Sequence, residues 1–277
     1  MGLILRWTKS LGWVLVAIAG LYQPGGSAHR LRADVENHAV ADGFTAAQRE
    51  LLLQRARRYT VKVETPENQG SGVIIQSRMG VYSVVTNEHV VFEDRPITIQ
   101  THDGRTHLAK RVVQPNVLDL GVLTFKSGSA SYPVAVLKPG LETFSGSPVL
   151  AAGFPNAFNG KSFRATEGQI SHVTAKSLNG GYRIGYSNQI SKGMSGGPVI
   201  NAFGHVIAIN GLHAEPLWGQ PYAWDDGTTP ATGLLPMFSG LSWAIPSETV
   251  MRSLPSSASG SSMLRPDVTK KPATEMS

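Results

Sequence analysis

Apolar residues along this chain fall into short runs broken by turn-forming residues, a rhythm that predicts strands rather than long helices. The run Thr60-Val61-Lys62-Val63-Glu64 alternates with period two, giving a strand with one apolar and one polar side. Similar runs follow at 72–76, 81–86, 97–101, 105–113 and 118–125. Asp103-Gly104 suits a tight hairpin turn between the runs on either side of it. After a Ser/Gly/Pro-containing link over 127–147, the rhythm resumes at 149–152, 163–173, 182–186, 198–200, 205–209 and 241–245. Many short strands, split near residue 135 with almost no helix among them, predict an all-β fold of two barrels of similar size. Helices are expected only at the ends. Thr45 and Gln48 form a capping box ahead of Leu51, Leu52 and Leu53, predicting a helix docked on the core by its leucines and basic at its far end (Arg55, Arg57, Arg58). A short closing helix is expected from Ser247.

Composition narrows the class. The 277 residues are 41% hydrophobic and 16% charged, with 30 Gly and 17 Pro, as in a turn-rich globular protein. The first 28 residues read as an export signal. Arg6 and Lys9 form a positive start, an apolar stretch runs from Leu11 to Leu21, and the small residues Gly26 and Ala28 flank a cleavage site. The apolar stretch is short for a span of about 20 residues, so an uncleaved signal is the only membrane link expected. An exported protein of periplasm, lumen or medium follows. Losing Arg6 and Lys9 lowers the formal charge from +6 to +4, spread without the basic stripe of nucleic-acid binders. Absent cysteine excludes disulfides, a thiol nucleophile and Cys-ligated metal. Residues 29–58 then form an N-terminal extension carrying the helix, polar and loosely ordered over 29–43, and the Ser/Pro/Lys-rich tail 255–277 is expected to be disordered.

Three segments carry chemistry. In Gly193-Met194-Ser195-Gly196-Gly197-Pro198 a serine sits on a glycine-rich turn. A hydroxyl is a poor nucleophile until a neighbour takes its proton and donors stabilise the developing oxyanion. The turn lets the amides of Gly193 and Ser195 point at one oxygen. His89, in Thr86-Asn87-Glu88-His89-Val90-Val91, ends an apolar strand, where a scaffold presents a side chain to a cleft. Asp119 lies among apolar neighbours in Leu118-Asp119-Leu120-Gly121-Val122 and is costly to desolvate without a partner, which a histidine N–H supplies.

These segments, in the order His, Asp, Ser, resemble the trypsin-like (chymotrypsin-fold) serine peptidases, most closely the bacterial HtrA branch and its cysteine-free cyanobacterial relatives. Gly70-Ser71-Gly72-Val73, Ala151-Ala152-Gly153-Phe154-Pro155, Thr166-Glu167-Gly168-Gln169-Ile170-Ser171 and Ser242-Trp243-Ala244-Ile245-Pro246 extend the resemblance over about 59–250. It implies two six-stranded antiparallel β-barrels over about 59–135 and 136–254. It further implies His89 as base and Asp119 as orienting acid from the first barrel, and Ser195 as nucleophile from the second. Gly193 and Ser195 would form the oxyanion hole, Gln189 would sit where trypsin-type pockets carry an acid, and the strand Ser242-Trp243-Ala244 would pair with the substrate backbone. Polypeptide substrates and no metal or cofactor are implied. Without an acid in the pocket segments, small or medium apolar P1 residues are expected over Lys or Arg. The branch usually carries a PDZ domain, for which the roughly 27 residues after Val250 are too few. Met194 stands where animal digestive enzymes hold an aspartate for activation by a new N-terminus.

Other readings compete. Gly160-Lys161-Ser162 suggests a phosphate loop, but Pro155 occupies the position of a required glycine. Gly193-Met194-Ser195-Gly196-Gly197 fits the nucleophile elbow of an esterase, but strand-like residues rather than a helix follow, and no acid stands between Ser195 and a later His205 or His213. A protease fold kept as a binding module is the non-enzyme alternative. The long stretch Gly211–Gly240, with Trp218, Trp224 and Asp225-Asp226, reads either as a packed lid or as a structural excursion.

Overall fold

The computed structural model describes residues 43–91, 95–112, 118–158, 162–214 and 222–254. The expected signal over 1–28, the start of the extension to 42 and the tail 255–277 lie outside the described residues. A helix, α1 (Ala46–Tyr59), leads into two closed six-stranded antiparallel barrels. The first contains β1 (Thr60–Glu64), β2 (Gln69–Arg78), β3 (Val81–Thr86), β4 (Ile97–Gln100), β5 (Thr106–Val112) and β6 (Gly121–Lys126), closed in the order β1-β2-β3-β6-β5-β4. A one-turn helix, α2 (Glu88–Val91), follows β3. The second contains β7 (Pro148–Gly153), β8 (Arg164–Leu178), β9 (Tyr182–Tyr186), β10 (Pro198–Asn201), β11 (Val206–Leu212) and β12 (Ser242–Pro246), closed as β10-β11-β12-β9-β8-β7. Helices α3 (Leu235–Ser239) and α4 (Ser247–Ser253) flank β12. Closure removes the unpaired strand edges that an open sheet must protect.

Burial departs from the simple alternation read in β1. Thr60 and Lys62 are as buried as Val61 and Val63. The Thr60 hydroxyl donates to the Ala56 carbonyl at 2.7 Å, and the Lys62 ammonium reaches the Glu64 carboxylate at 2.8 Å. Polar groups taken from water need such partners. The capping box of α1 is formed, with Gln48 N–H on the Thr45 hydroxyl at 3.2 Å and Thr45 N–H on the Gln48 side chain at 3.0 Å. The helix docks differently from expectation: Leu52, Ala56 and Tyr59 make the buried stripe, while Leu51 is exposed and Leu53 half-buried. Spacings of four and three put those residues on one face, so three consecutive leucines cannot all share it. Arg49 of α1 pairs with Glu167 of β8, which ties the helix to the second barrel.

Three element boundaries matter for the site. β6 begins at Gly121, and Leu118 makes only an isolated parallel bridge to Gly180, which places Asp119 in the seam rather than in a strand. β8 runs on to Leu178, forming with β9 a long hairpin whose tip, Asn179–Gly181, meets the first barrel there. β11 extends past Asn210 to Leu212.

Candidate active site

The first barrel supplies an imidazole and a carboxylate in direct contact. Asn87 is buried at the end of β3, and the single turn of α2 carries the His89 ring out until its side chain is about half exposed (47%). Its Nδ1 lies 2.7 Å from Asp119 Oδ2, and its backbone N–H donates to Asp119 Oδ1 at 2.9 Å. The carboxylate thus holds both the ring and the backbone of the residue it orients. Asn87 Nδ2 donates to the Asp119 carbonyl at 2.9 Å, and the Asp119 N–H donates to the Gly180 carbonyl of the second barrel, also at 2.9 Å. The phenol of Tyr182, on β9, donates a further hydrogen bond to Oδ2. Burial, then the neighbouring carboxylate, holds that phenol well above the usual tyrosine range, so it acts as a donor. Beside His89, Glu88 pairs with Arg111. Burial nevertheless raises its carboxyl above the ordinary value, against the pull of the arginine.

The second barrel supplies the serine. Ser195 is half-buried on the turn between residues 190 and 198, pinned across the seam by Ser71 of β2. Ser71 N–H donates to the Ser195 carbonyl at 2.8 Å. Its hydroxyl donates to the Gly193 carbonyl at 2.7 Å and accepts from Phe154 N–H at 2.9 Å. Gly193 has φ +97°, and a Cβ there would strike the Phe154 carbonyl and the Asn156 side chain, so only glycine fits. Among the described residues the amides of Gly193 and Ser195 donate to no acceptor, the state required of an oxyanion site. The serine and histidine segments converge on Gly70, where a Cβ would fall 2.6 Å from Val90 and 3.2 Å from the Ser195 carbonyl. The Ser195 hydroxyl itself donates to the Gly211 carbonyl at 3.2 Å rather than to His89.

The strand expected to pair with substrate is occupied on both edges. Ser242, Trp243 and Ala244 are fully buried in β12, which is paired on one side with β11 and on the other with β9. A strand with both edges occupied cannot take up a substrate backbone, which corrects the reading from the sequence. The Ser242 hydroxyl donates to the Asn188 carbonyl at 2.8 Å, and the Trp243 indole N–H donates to the Phe238 carbonyl at 3.0 Å; both roles are structural. Gln189 is exposed, while its neighbour Asn188 is buried and donates to the carbonyls of Val149 and Thr166. The strand that passes the serine is β11: Asn210 exchanges backbone hydrogen bonds with Gly196 and Gly197, and Gly211 follows against the Ser195 hydroxyl. His213, two residues on, is half-buried, and burial and then the adjacent His89 hold its pKa below the ordinary value.

Sequence reasoning passed over Tyr182, and Ser71 as an individual residue. Ser71 stood within a glycine-flanked run that was visible. Tyr182 gave no signal, because a tyrosine opening a strand is ordinary core material.

Comparison with known proteins agrees with this geometry. Residues 70–209 match the trypsin-like peptidase domain. The chain is 33% identical over 151 residues to the serine protease Do-like HtrB of Bacillus subtilis, covering 51% of this chain and 32% of that protein. It is 33% identical over 160 residues to the periplasmic pH-dependent serine endoprotease DegQ of Escherichia coli, covering 56% and 33%. The chain therefore spans about a third of the length of these curated relatives. Among solved structures, an HtrA-type protease with a tripeptide superposes with a TM-score of 0.57 at 25% identity, over 76% of this chain and 62% of that one. Deg5 superposes at 0.56 and 23% identity, over 74% and 91%. With both barrels closed and the family domain matched over half its length, the chain belongs to the trypsin-like peptidases, close to their HtrA members.

Proposed function

We propose that this chain is an exported serine endopeptidase acting through Ser195, His89 and Asp119. The observation that carries the reading is the 2.7 Å contact of His89 Nδ1 with Asp119, together with a serine turn whose two amides meet no acceptor among the described residues. Attack begins when the Ser195 hydroxyl leaves the Gly211 carbonyl and turns to His89 Nε2, a rearrangement typical of sites without substrate. His89 accepts the proton as the oxygen adds to the scissile carbonyl, and the amides of Gly193 and Ser195 take the oxyanion. The imidazolium then protonates the leaving amine, and water repeats the sequence on the acyl-enzyme.

The substrate backbone pairs with Gly211–His213, whose edge beyond Asn210 faces the serine, and not with β12. Small or medium apolar P1 side chains suit a site whose flanking segments carry no acid. A cleavage profile dominated by Arg would overturn that specificity. Export follows from the signal-like start and accords with the periplasmic relative DegQ. Among the described residues no helix is long and apolar enough to cross a membrane.

The test is labelling by a fluorophosphonate with the modified residue mapped. Label on Ser195, lost in Ser195→Ala together with about a million-fold of turnover, is the expected result. Normal hydrolysis by that variant, or label elsewhere, ends the proposal. Digestion of casein compared with hydrolysis of short esters separates a peptidase from an esterase.

A further inference from the structure

The Tyr182 ring occupies an unusual place. A Cβ built on Gly211 would fall 2.1 Å from Tyr182 Cε1 and 2.2 Å from its hydroxyl oxygen, so the tyrosine packs directly against the residue whose carbonyl receives the Ser195 hydroxyl. From there its phenol reaches Asp119 Oδ2, the same oxygen that holds His89 Nδ1. Tyr182 is fully buried, and its hairpin also presents the Gly180 carbonyl to the Asp119 N–H. One side chain of the second barrel therefore touches both the acid of the first barrel and the strand that passes the nucleophile.

We propose that Tyr182 is a positioning residue: it fills the space left at Gly211, sets the distance between that strand and Asp119, and through its hydroxyl tunes how strongly Asp119 supports His89. The inference rests on the proposed role of the three residues. A carboxylate oxygen shared between two donors has less negative charge to offer either one. With the phenol in place, Asp119 is fixed in rotation and its charge is divided between tyrosine and imidazole. Among the described residues, the other charged or titratable groups shown beside His89 are Glu88, which is paired with Arg111, and His213; neither touches Oδ2. The hydroxyl is therefore the one contact on that oxygen that can be altered without touching the histidine.

The experiment uses the full chain and a fluorophosphonate as probe. In Tyr182→Phe the ring keeps its place against Gly211 and only the hydroxyl goes. The labelling rate near neutral pH should fall about ten-fold or more, the scale of one hydrogen bond to a charged group. The acidic limb of the rate–pH profile should move to higher pH, because the undivided charge of Asp119 then favours protonated His89. Replacing Tyr182 with 3-fluorotyrosine, a stronger donor of similar size, should move that limb to lower pH. A filler role alone leaves both limbs where they are in the parent protein, and that outcome overturns the proposal. If Tyr182→Phe does not fold, the fluorotyrosine limb decides by itself. Absence of label on the unaltered protein would instead strike at the serine peptidase reading.

Discussion

Ser71 shows how much a small side chain can hold. Its hydroxyl donates to the Gly193 carbonyl and accepts from Phe154 N–H, while its own amide fixes the Ser195 carbonyl. Ser71→Ala leaves the first two groups buried without partners. The expected cost is about 1–3 kcal/mol of stability, read from denaturant unfolding. Turnover should fall by about a hundred-fold as the Gly193 amide loses its aim, with KM little changed. A variant as active as the parent would show that the glycine turn orients itself. At this scale the sequence was most legible where a residue type is demanded by chemistry: it singled out His89 and Asp119, whose side chains meet at 2.7 Å. It was least legible where contact is made through the fold, as with Tyr182, whose partner lies 63 positions away.

Among elements, strands were readable and their limits were not. Short apolar runs between turn residues marked each strand of both barrels, because the strands of a closed barrel are largely buried. It did not reveal that β8 continues to Leu178, since between Val173 and Leu178 the one buried residue is Thr174, whose polar side chain carries no apolar signal. Nor did it show that β12 is enclosed on both edges, which misassigned Ser242, Trp243 and Ala244 to substrate binding. The described part of the long excursion 211–240 is packed rather than free. Trp224 bridges to Leu178, and Tyr222, Trp224 and Trp243 all stack edge-on against buried Phe238, with centroids 5.8, 6.0 and 4.8 Å away. This cluster braces the hairpin that carries Gly180 and Tyr182. Phe238→Ala should cost about 3–5 kcal/mol, measured by denaturant unfolding. It should slow fluorophosphonate labelling even though residue 238 touches none of the three reactive groups. Residues 215–221, which include Trp218, lie outside the described part, and the idea of a lid falls on them.

At the scale of the whole molecule, two histidines flanking β11 resist taking up a proton in the fold. His205 is held below the ordinary value of 6.5 by burial and then by Lys138, and His213 by burial and then by His89. A folded state that binds protons more weakly than the unfolded chain loses stability as pH falls below the unfolded value, so the fold should weaken from about pH 6.5 downward. Replacing both with Gln should flatten that decline, as seen by comparing denaturant midpoints at about pH 7.5 and about pH 5.5. An unchanged slope would assign the acid response to other groups.

The bond from the Asp119 amide to the Gly180 carbonyl has one more consequence. It ties the acid's backbone to the opposite half of the molecule, in a chain without a single covalent cross-link. Heat or acid that loosens the seam between the barrels takes that anchor from the carboxylate. The contact between Asp119 and His89 therefore depends on a bond made outside that pair, by a residue of the other barrel.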